Sequence, residues 1–222
     1  MKVPCIKNFN DGEEVGLKKF VVCVHGLATH KGGSKIAALM AELEKHRVGV
    51  VALDLPGHGE NKSELTIDNC VQDINTVTQN LRKFNKPISF YGSSFGGYCV
   101  MAYLLEHQQD YSEVLLVAPL IDGYKKLKSI ENQEYKNIFI SPEFIDSLKR
   151  HDVASNASKL GHLKIIYAEH DITVDNNEIL ALAKSSGAEL FEIKGAGHSF
   201  GNEGELEQVI NVATQVYTGQ KL

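Results

Sequence analysis

Four short stretches of the chain combine residue types that make and break acyl bonds. The first is Gly92-Ser93-Ser94-Phe95-Gly96. A Gly-x-Ser-x-Gly run on a strand-to-helix turn holds its serine at the tip of a sharp bend, with the side chain exposed. The flanking glycines let the strand and helix backbones pass closely without a Cβ clash. Ser94 has glycine two positions away on both sides, whereas Ser93 has Tyr91 and Phe95 there. A serine at a helix start also meets free N–H groups that favour developing negative charge. Neither GxGxxG nor GxxxxGK[ST] is present, which argues against a phosphate-binding loop.

A serine hydroxyl becomes a useful nucleophile only when a base takes its proton. Of nine histidines, His198 is the best placed. It follows the last strand-like run, within Gly195-Ala196-Gly197-His198-Ser199-Phe200, a loop flexible enough to carry an imidazole over the bend. The imidazole in turn needs a carboxylate to hold its tautomer and stabilise its cation. Asp171 closely follows the run ending at Ala168, with Glu169 and Asp175 as rivals within four positions. A helix-capping role suits Asp175 better than Asp171. The chain order Ser94, Asp171, His198 is the one associated with a nucleophile carried on such an elbow. A tetrahedral oxyanion needs two donors, assigned to the backbone N–H of Phe95 and that of Leu27 in His25-Gly26-Leu27. His25 reads as a brace for that loop. Asp54 and His58, in Asp54-Leu55-Pro56-Gly57-His58-Gly59, read as structural members of a turn.

The elements that must position these residues are visible as two periodicities. Phe20 to Val24, Val48 to Leu53, Val114 to Ala118 and Leu163 to Ala168 are continuous apolar runs, the habit of parallel strands buried on both faces. Pro87 to Tyr91 and Ala188 to Ile193 add two strands, and Val3 to Ile6 a short edge strand. Helical stripes run through Ile36, Leu39, Met40 and Leu43; through Val71, Ile74, Val77, Leu81 and Phe84; and through Leu206, Val209, Ile210, Ala213 and Val216. Residues 95–107 are apolar almost all round, so that helix is expected to be central. The alternation predicts a three-layer α/β/α sandwich with a mostly parallel sheet, one domain spanning 1–222. Residues 122–157 break the rhythm, with no clear strand, and are expected to form a short cap insertion. Its Tyr124, Tyr135, Phe139 and Phe144 either line an acyl or aryl pocket or form the core of the cap. Lys125, Lys126 and Lys128 read as a solvated face rather than as attractors of an anionic substrate.

Composition narrows the classes further. The 222 residues carry 23 Lys and Arg against 28 Asp and Glu, a net charge of −5, which argues against a nucleic-acid partner. No apolar run approaches the ~20 residues of a membrane span, and no secretory signal pattern opens the chain. Cys5, Cys23, Cys70 and Cys99 form no CxxC, and two lie in apolar segments, which fits buried thiols in the cytoplasm. Neither HExxH nor a Cys/His cluster is present, and Glu169-His170-Asp171 has strand-end spacing unsuited to converging on one ion. No metal and no cofactor are expected.

Taken together, His25-Gly26, Asp54 to Gly59, Gly92 to Gly97, Asp171 and Gly197-His198 resemble the α/β-hydrolase superfamily. Within it the chain is similar to the serine esterase and lipase branch, which includes monoacylglycerol lipases, cinnamoyl esterases and serine aminopeptidase-like hydrolases. The resemblance runs from about residue 20 to 216 and implies a metal-independent serine hydrolase acting on small-molecule carboxylic esters through an acyl-enzyme on Ser94. Activity would rise with pH through about 6–7 as the base loses its proton. The chain departs from many relatives in having Ser93 where they have His, and Ala168 where Gly is common. The short N-terminal part implies one or two fewer outer antiparallel strands, and the short cap an open cleft. A thioesterase and a small-peptide or amide hydrolase are the alternative activities. The peptidase would need an acidic anchor in the cap, for which Glu131, Glu134 and Glu143 are available. A non-catalytic ligand binder is the alternative outside enzymes.

Overall fold

The computed structural model describes residues 3–107 and 111–220. The first half of the chain alternates β1 (Cys5–Lys7), β2 (Lys19–Val24), α1 (Ser34–Glu44), β3 (Val48–Leu53), α2 (Ile67–Arg82), β4 (Ile88–Ser93) and α3 (Phe95–Glu106). After β5 (Val114–Val117) come α4 (Gly123–Leu127), the short strands β6 (Glu134–Tyr135) and β7 (Ile138–Phe139), and α5 (Pro142–Arg150). The chain then returns through β8 (Leu163–Ala168), α6 (Asn176–Ser186), β9 (Glu189–Ile193) and α7 (Glu205–Thr218).

Seven strands form one sheet in the order β1-β3-β2-β4-β5-β8-β9. All neighbours pair in parallel except β1, which lies antiparallel on β3 with Ile6 opposite Ala52. Both faces of the sheet are apolar because alternate residues of each central strand point opposite ways. Val22, Val24, Phe90, Leu116 and Ile165 face α2, α3 and α6. Val21, Cys23, Tyr91, Leu115 and Ile166 face α1 and α7. The expected three-layer sandwich with a mostly parallel sheet is the architecture found.

Local chemistry sets the helix ends. Thr66 caps α2 by accepting the Asn69 N–H at 3.1 Å, and Ser141 caps α5 by accepting that of Phe144, with Pro142 at the first helical position. Phe95 to Leu104 of α3 are all buried, as expected of a central helix. Two details differ from expectation. Phe84 lies beyond the end of α2, partly exposed, with its ring 5.6 Å from that of Phe20. The segment after β5 holds a small hairpin, β6 with β7, whose two-residue strands are too short to show a period.

The topology decides where function can sit. The chain leaves β2 to lay β3 on one side, then crosses to lay β4 on the other. Ligands bind beyond the carboxyl ends of strands at such a reversal. The loops after β2, β4, β8 and β9 all open there because these strands run the same way.

Candidate active site

Ser94 stands between β4 and α3 with φ 54° and ψ −118°. Such a conformation costs a non-glycine residue about 1–3 kcal/mol and persists only where its surroundings over-determine it. Here the Ser94 N–H donates to the Val117 carbonyl at 2.9 Å, and the Ser94 carbonyl accepts from Gly97 at 2.9 Å and Leu120 at 3.1 Å. The bend also needs its glycines. A Cβ on Gly92 would lie 2.7 Å from the Gly97 Cα, and one on Gly96 would run into the Val24 and His25 carbonyls.

Around the serine the structure brings together three of the expected residues. His198 Nε2 lies 3.0 Å from Ser94 Oγ, and His198 Nδ1 lies 2.7 Å from Asp171 Oδ2. The carboxylate only accepts, so Nδ1 carries the proton and Nε2 offers its lone pair to the hydroxyl. The Asp171 side chain is fully buried. Burial alone would raise its pKa, but the bonds from His198 and from the Val174 and Thr173 N–H groups outweigh that and hold it below the ordinary carboxylate value. Those two N–H groups reach Oδ1 at 2.9 and 2.8 Å. Their part is legible in hindsight, since Asp commonly accepts from the backbone two residues on.

The rival carboxylates have other partners. Glu169 Oε2 accepts the Gly195 N–H at 2.8 Å, and Asp175 accepts that of Asn177 at 2.9 Å at the start of α6. Glu169 thereby helps to tie the β8 and β9 loops together, with the His170 N–H donating to the Ala196 carbonyl at 2.9 Å. This pairing sets His198 against Asp171 across 27 residues of chain.

Leu27 and Phe95 both line the cavity above Ser94. Among the described residues neither backbone N–H donates to a protein acceptor. The Leu27 loop lies against the serine: a Cβ on Gly26 would meet the Ser94 Cβ at 3.4 Å. Two buried histidines hold this loop. His25 Nδ1–H donates to the Gly26 carbonyl at 2.8 Å while Nε2 accepts the Leu55 N–H at 3.0 Å. His58 Nδ1–H donates to the Pro56 carbonyl at 2.8 Å while Nε2 accepts the Ala28 N–H at 3.0 Å. Burial lowers both pKa values, that of His25 to about 4, so both rings stay neutral and keep one acceptor nitrogen. Asp54, fully buried, accepts the Lys31 N–H at 2.9 Å and pairs with Lys31 Nζ at 2.6 Å. These are bracing contacts of the kind expected for His25, Asp54 and His58.

The cavity has a volume of about 460 Å³, and the segment after β5 lends Leu127, Ile130 and Tyr135 to its wall. The four aromatics of 122–157 divide between the two expected readings. Of the four, Tyr135 lies on the wall among the described residues, whereas Tyr124, Phe139 and Phe144 do not. Phe144 belongs to the inward stripe of α5 with Ile145 and Leu148 and meets the Phe95 ring edge-on at 5.6 Å, in the core. Tyr124 is half-buried against that core, and Phe139 is exposed on the hairpin. Leu127, Ile130, Val174 and Lys35 of the wall carried no sequence signal that separates them from ordinary core or surface positions.

A parallel sheet in this order, with a serine on a strained elbow facing a histidine and a buried aspartate, defines an α/β hydrolase. Residues 16–159 match the Hydrolase_4 family, described as serine aminopeptidase, S33, and the chain belongs to that family. The matched span ends before Asp171 and His198. No curated protein matches the chain in sequence. Among solved structures, the chain is similar to Est1E from Butyrivibrio proteoclasticus with ferulic acid bound, at TM-score 0.85 and 17% identity over 98% of this chain and 95% of that one. It is also similar to a monoacylglycerol lipase from Paleococcus ferrophilus, at TM-score 0.77 and 19% identity over 99% of each chain. A monoglyceride lipase from Saccharomyces cerevisiae matches at TM-score 0.72 and 15% identity, over 95% of this chain and 89% of that one. At these identities the likeness is one of fold. Among the described residues no helix is long and apolar enough to cross a membrane.

Proposed function

We propose that this hydrolase cleaves carboxylic esters of small to medium acyl groups through an acyl-enzyme on Ser94. The observation that carries the proposal is the hydrogen-bonded line from Ser94 Oγ through His198 to Asp171, at 3.0 and 2.7 Å, beside the cavity. In this mechanism Ser94 Oγ attacks the ester carbonyl while His198 Nε2 takes its proton. Asp171 stabilises the imidazolium, and the N–H groups of Leu27 and Phe95 hold the oxyanion. His198 then protonates the leaving alcohol, and water, deprotonated by the same nitrogen, releases the acid. Residues 1–222 act as one domain in this proposal, with 122–157 as the cap over the cleft and Tyr135 its contribution to the acyl wall.

The lipase and esterase relatives in fold favour an ester. A peptidase of the kind the family description names would bind a free ammonium and needs a carboxylate in the cleft. Glu131 pairs with Lys128, Glu143 pairs with Arg150, and neither they nor Glu134 line the cavity. Initial rates on p-nitrophenyl esters from acetate to dodecanoate, with Ser94→Ala as background, test the proposal. Turnover lost in the variant is expected. Turnover that persists in Ser94→Ala, or its absence from the folded wild type, overturns it.

A further inference from the structure

The cavity wall carries formal charge of one sign. Lys35, Lys126 and Lys136 line it, and among the described residues no aspartate or glutamate does. This runs against the composition, in which 28 acidic side chains outnumber 23 basic ones. Asp171 sits behind His198 with its side chain fully buried and both oxygens engaged. The cap carboxylates are turned elsewhere: Glu131 pairs with Lys128, and on α6 Glu178 pairs with Lys125.

The lysines of this wall differ from their neighbours in the same way. Lys31 is neutralised by Asp54 and Glu60. Lys35, in the first turn of α1, is half-buried, and its Nζ donates to the Ser199 carbonyl at 3.0 Å and lies 5.8 Å from the centre of the Phe200 ring. Neither partner supplies a counter-charge, and burial pulls its pKa below the ordinary lysine value. Ser199 adjoins His198 in the chain, and Lys35, Ser199 and His198 line the same cavity. Lys126 and Lys136 lie on the cap wall, exposed and with no ion pair among the described residues; Lys136 is 5.5 Å from the Tyr135 ring centre. Gly33 and Ser34, at the start of α1, also line the cavity, and no side chain caps that helix. Its free N–H groups add partial positive charge to the same wall. Like charges on a concave, low-dielectric wall focus their field into the cleft and favour a ligand of opposite sign.

We infer that the ester cleaved at this site carries an anionic group, most simply a carboxylate, received by Lys35, Lys126 and Lys136. The inference rests on the esterase reading above and names its substrate class. A carboxylate would supply the counter-charge that Lys35 lacks, whereas a neutral ester of equal length leaves all three ammoniums without one.

Two matched pairs test this. Monomethyl adipate and methyl hexanoate differ by a terminal carboxylate on the acyl side. Hexanoyl glycolate and ethyl hexanoate differ by one on the alcohol side. At low salt, kcat/KM for the anionic member of at least one pair is expected to exceed that of its partner by about tenfold. The preference should collapse at about 1 M NaCl, where the Debye length is about 3 Å. It should also fall severalfold in Lys35→Met and in the exposed double variant Lys126→Gln/Lys136→Gln, read as the ratio of anionic to neutral rates. Equal or inverted preference in both pairs overturns the inference, as does a preference that neither variant lowers. Turnover of neutral esters alone therefore refutes the charge assignment and leaves the esterase reading standing. If no ester turns over, the esterase reading falls, and calorimetry on Ser94→Ala decides the charge assignment separately. The anionic member binding about tenfold tighter in at least one of the two pairs supports it, and equal binding in both refutes it.

Discussion

Replacing Asp171 by asparagine should do more damage to catalysis than replacing it by alanine, although asparagine is nearly isosteric. Asp171 Oδ1 accepts two backbone donors, Thr173 at 2.8 Å and Val174 at 2.9 Å, while Oδ2 accepts His198 Nδ1–H at 2.7 Å. An asparagine has one acceptor oxygen. Turning its NH₂ toward the two N–H groups would leave both without an acceptor, at about 1–3 kcal/mol each. The oxygen therefore stays on Thr173 and Val174, and the NH₂ faces His198 Nδ1. That nitrogen must then accept, so the imidazole proton moves to Nε2 and points at Ser94 Oγ. The base has lost the lone pair the serine proton needs. A wrong tautomer of this kind lowers kcat by about 10⁴, or about 5 kcal/mol of barrier. Asp171→Ala leaves the tautomer free to adjust but strips both N–H groups of their acceptor, costing about 2–6 kcal/mol of stability. Initial rates with p-nitrophenyl butyrate and thermal melts should thus rank the variants oppositely, asparagine the slower and alanine the less stable. An asparagine variant within tenfold of wild type, or one that melts below alanine, would refute the reasoning.

Three other outcomes follow from the same contacts. Gly96→Ala should destabilise by about 3 kcal/mol or more, because its Cβ meets the Val24 and His25 carbonyls rather than a side chain that can move; urea denaturation with an unchanged midpoint would count against it. His25 is held neutral in the fold with a pKa of about 4, below the ordinary ~6.5 of the unfolded chain. Its contribution is complete above about pH 6.5 and is lost as pH falls toward 4, about 3 kcal/mol in all, so His25→Gln should show a shallower loss of stability over that interval than wild type. Parallel slopes in urea titrations at each pH would contradict this. His58→Ala removes the acceptor of the Ala28 N–H and should lower kcat by about tenfold or more through the neighbouring Leu27 donor, within the ~10²–10³ loss of a whole donor. His58→Gln, which restores an acceptor, should recover part of it; equal kcat in both variants would show that the bond does not position Leu27.

Much of the molecule was legible in the residues because it depends on near neighbours. A strand buried on both faces needs its buried residues apolar, and Phe20 to Val24 of β2 and the whole of β3 show that directly. The elbow needs small residues at two fixed offsets from a serine, so Gly92 and Gly96 single out Ser94 without any knowledge of the fold. The helix α6 was less legible, since its buried stripe is only Ile179, Leu182 and Ala183. Asp175 betrays its start but not its length.

What remained undecided depended on where long loops meet. The sequence favours Asp171 over Glu169 and Asp175 only by its place after the strand and the capping pattern at Asp175, because all three are carboxylates within seven residues. In the fold the three point different ways: one side chain faces Gly195, one faces His198 and one faces α6. The cap aromatics were equally ambiguous, since a phenyl ring gains the same apolar burial from a core as from a pocket wall; the inward stripe of α5 takes Phe144 into the core. The three lysines of the cavity come from α1, from α4 and from the turn between β6 and β7. Charge at each is written in the sequence, but whether a carboxylate neutralises it is a matter of distance across the fold. Residue type is carried by the chain, while contact between residues far apart along it is decided by the packing of the sheet and its loops.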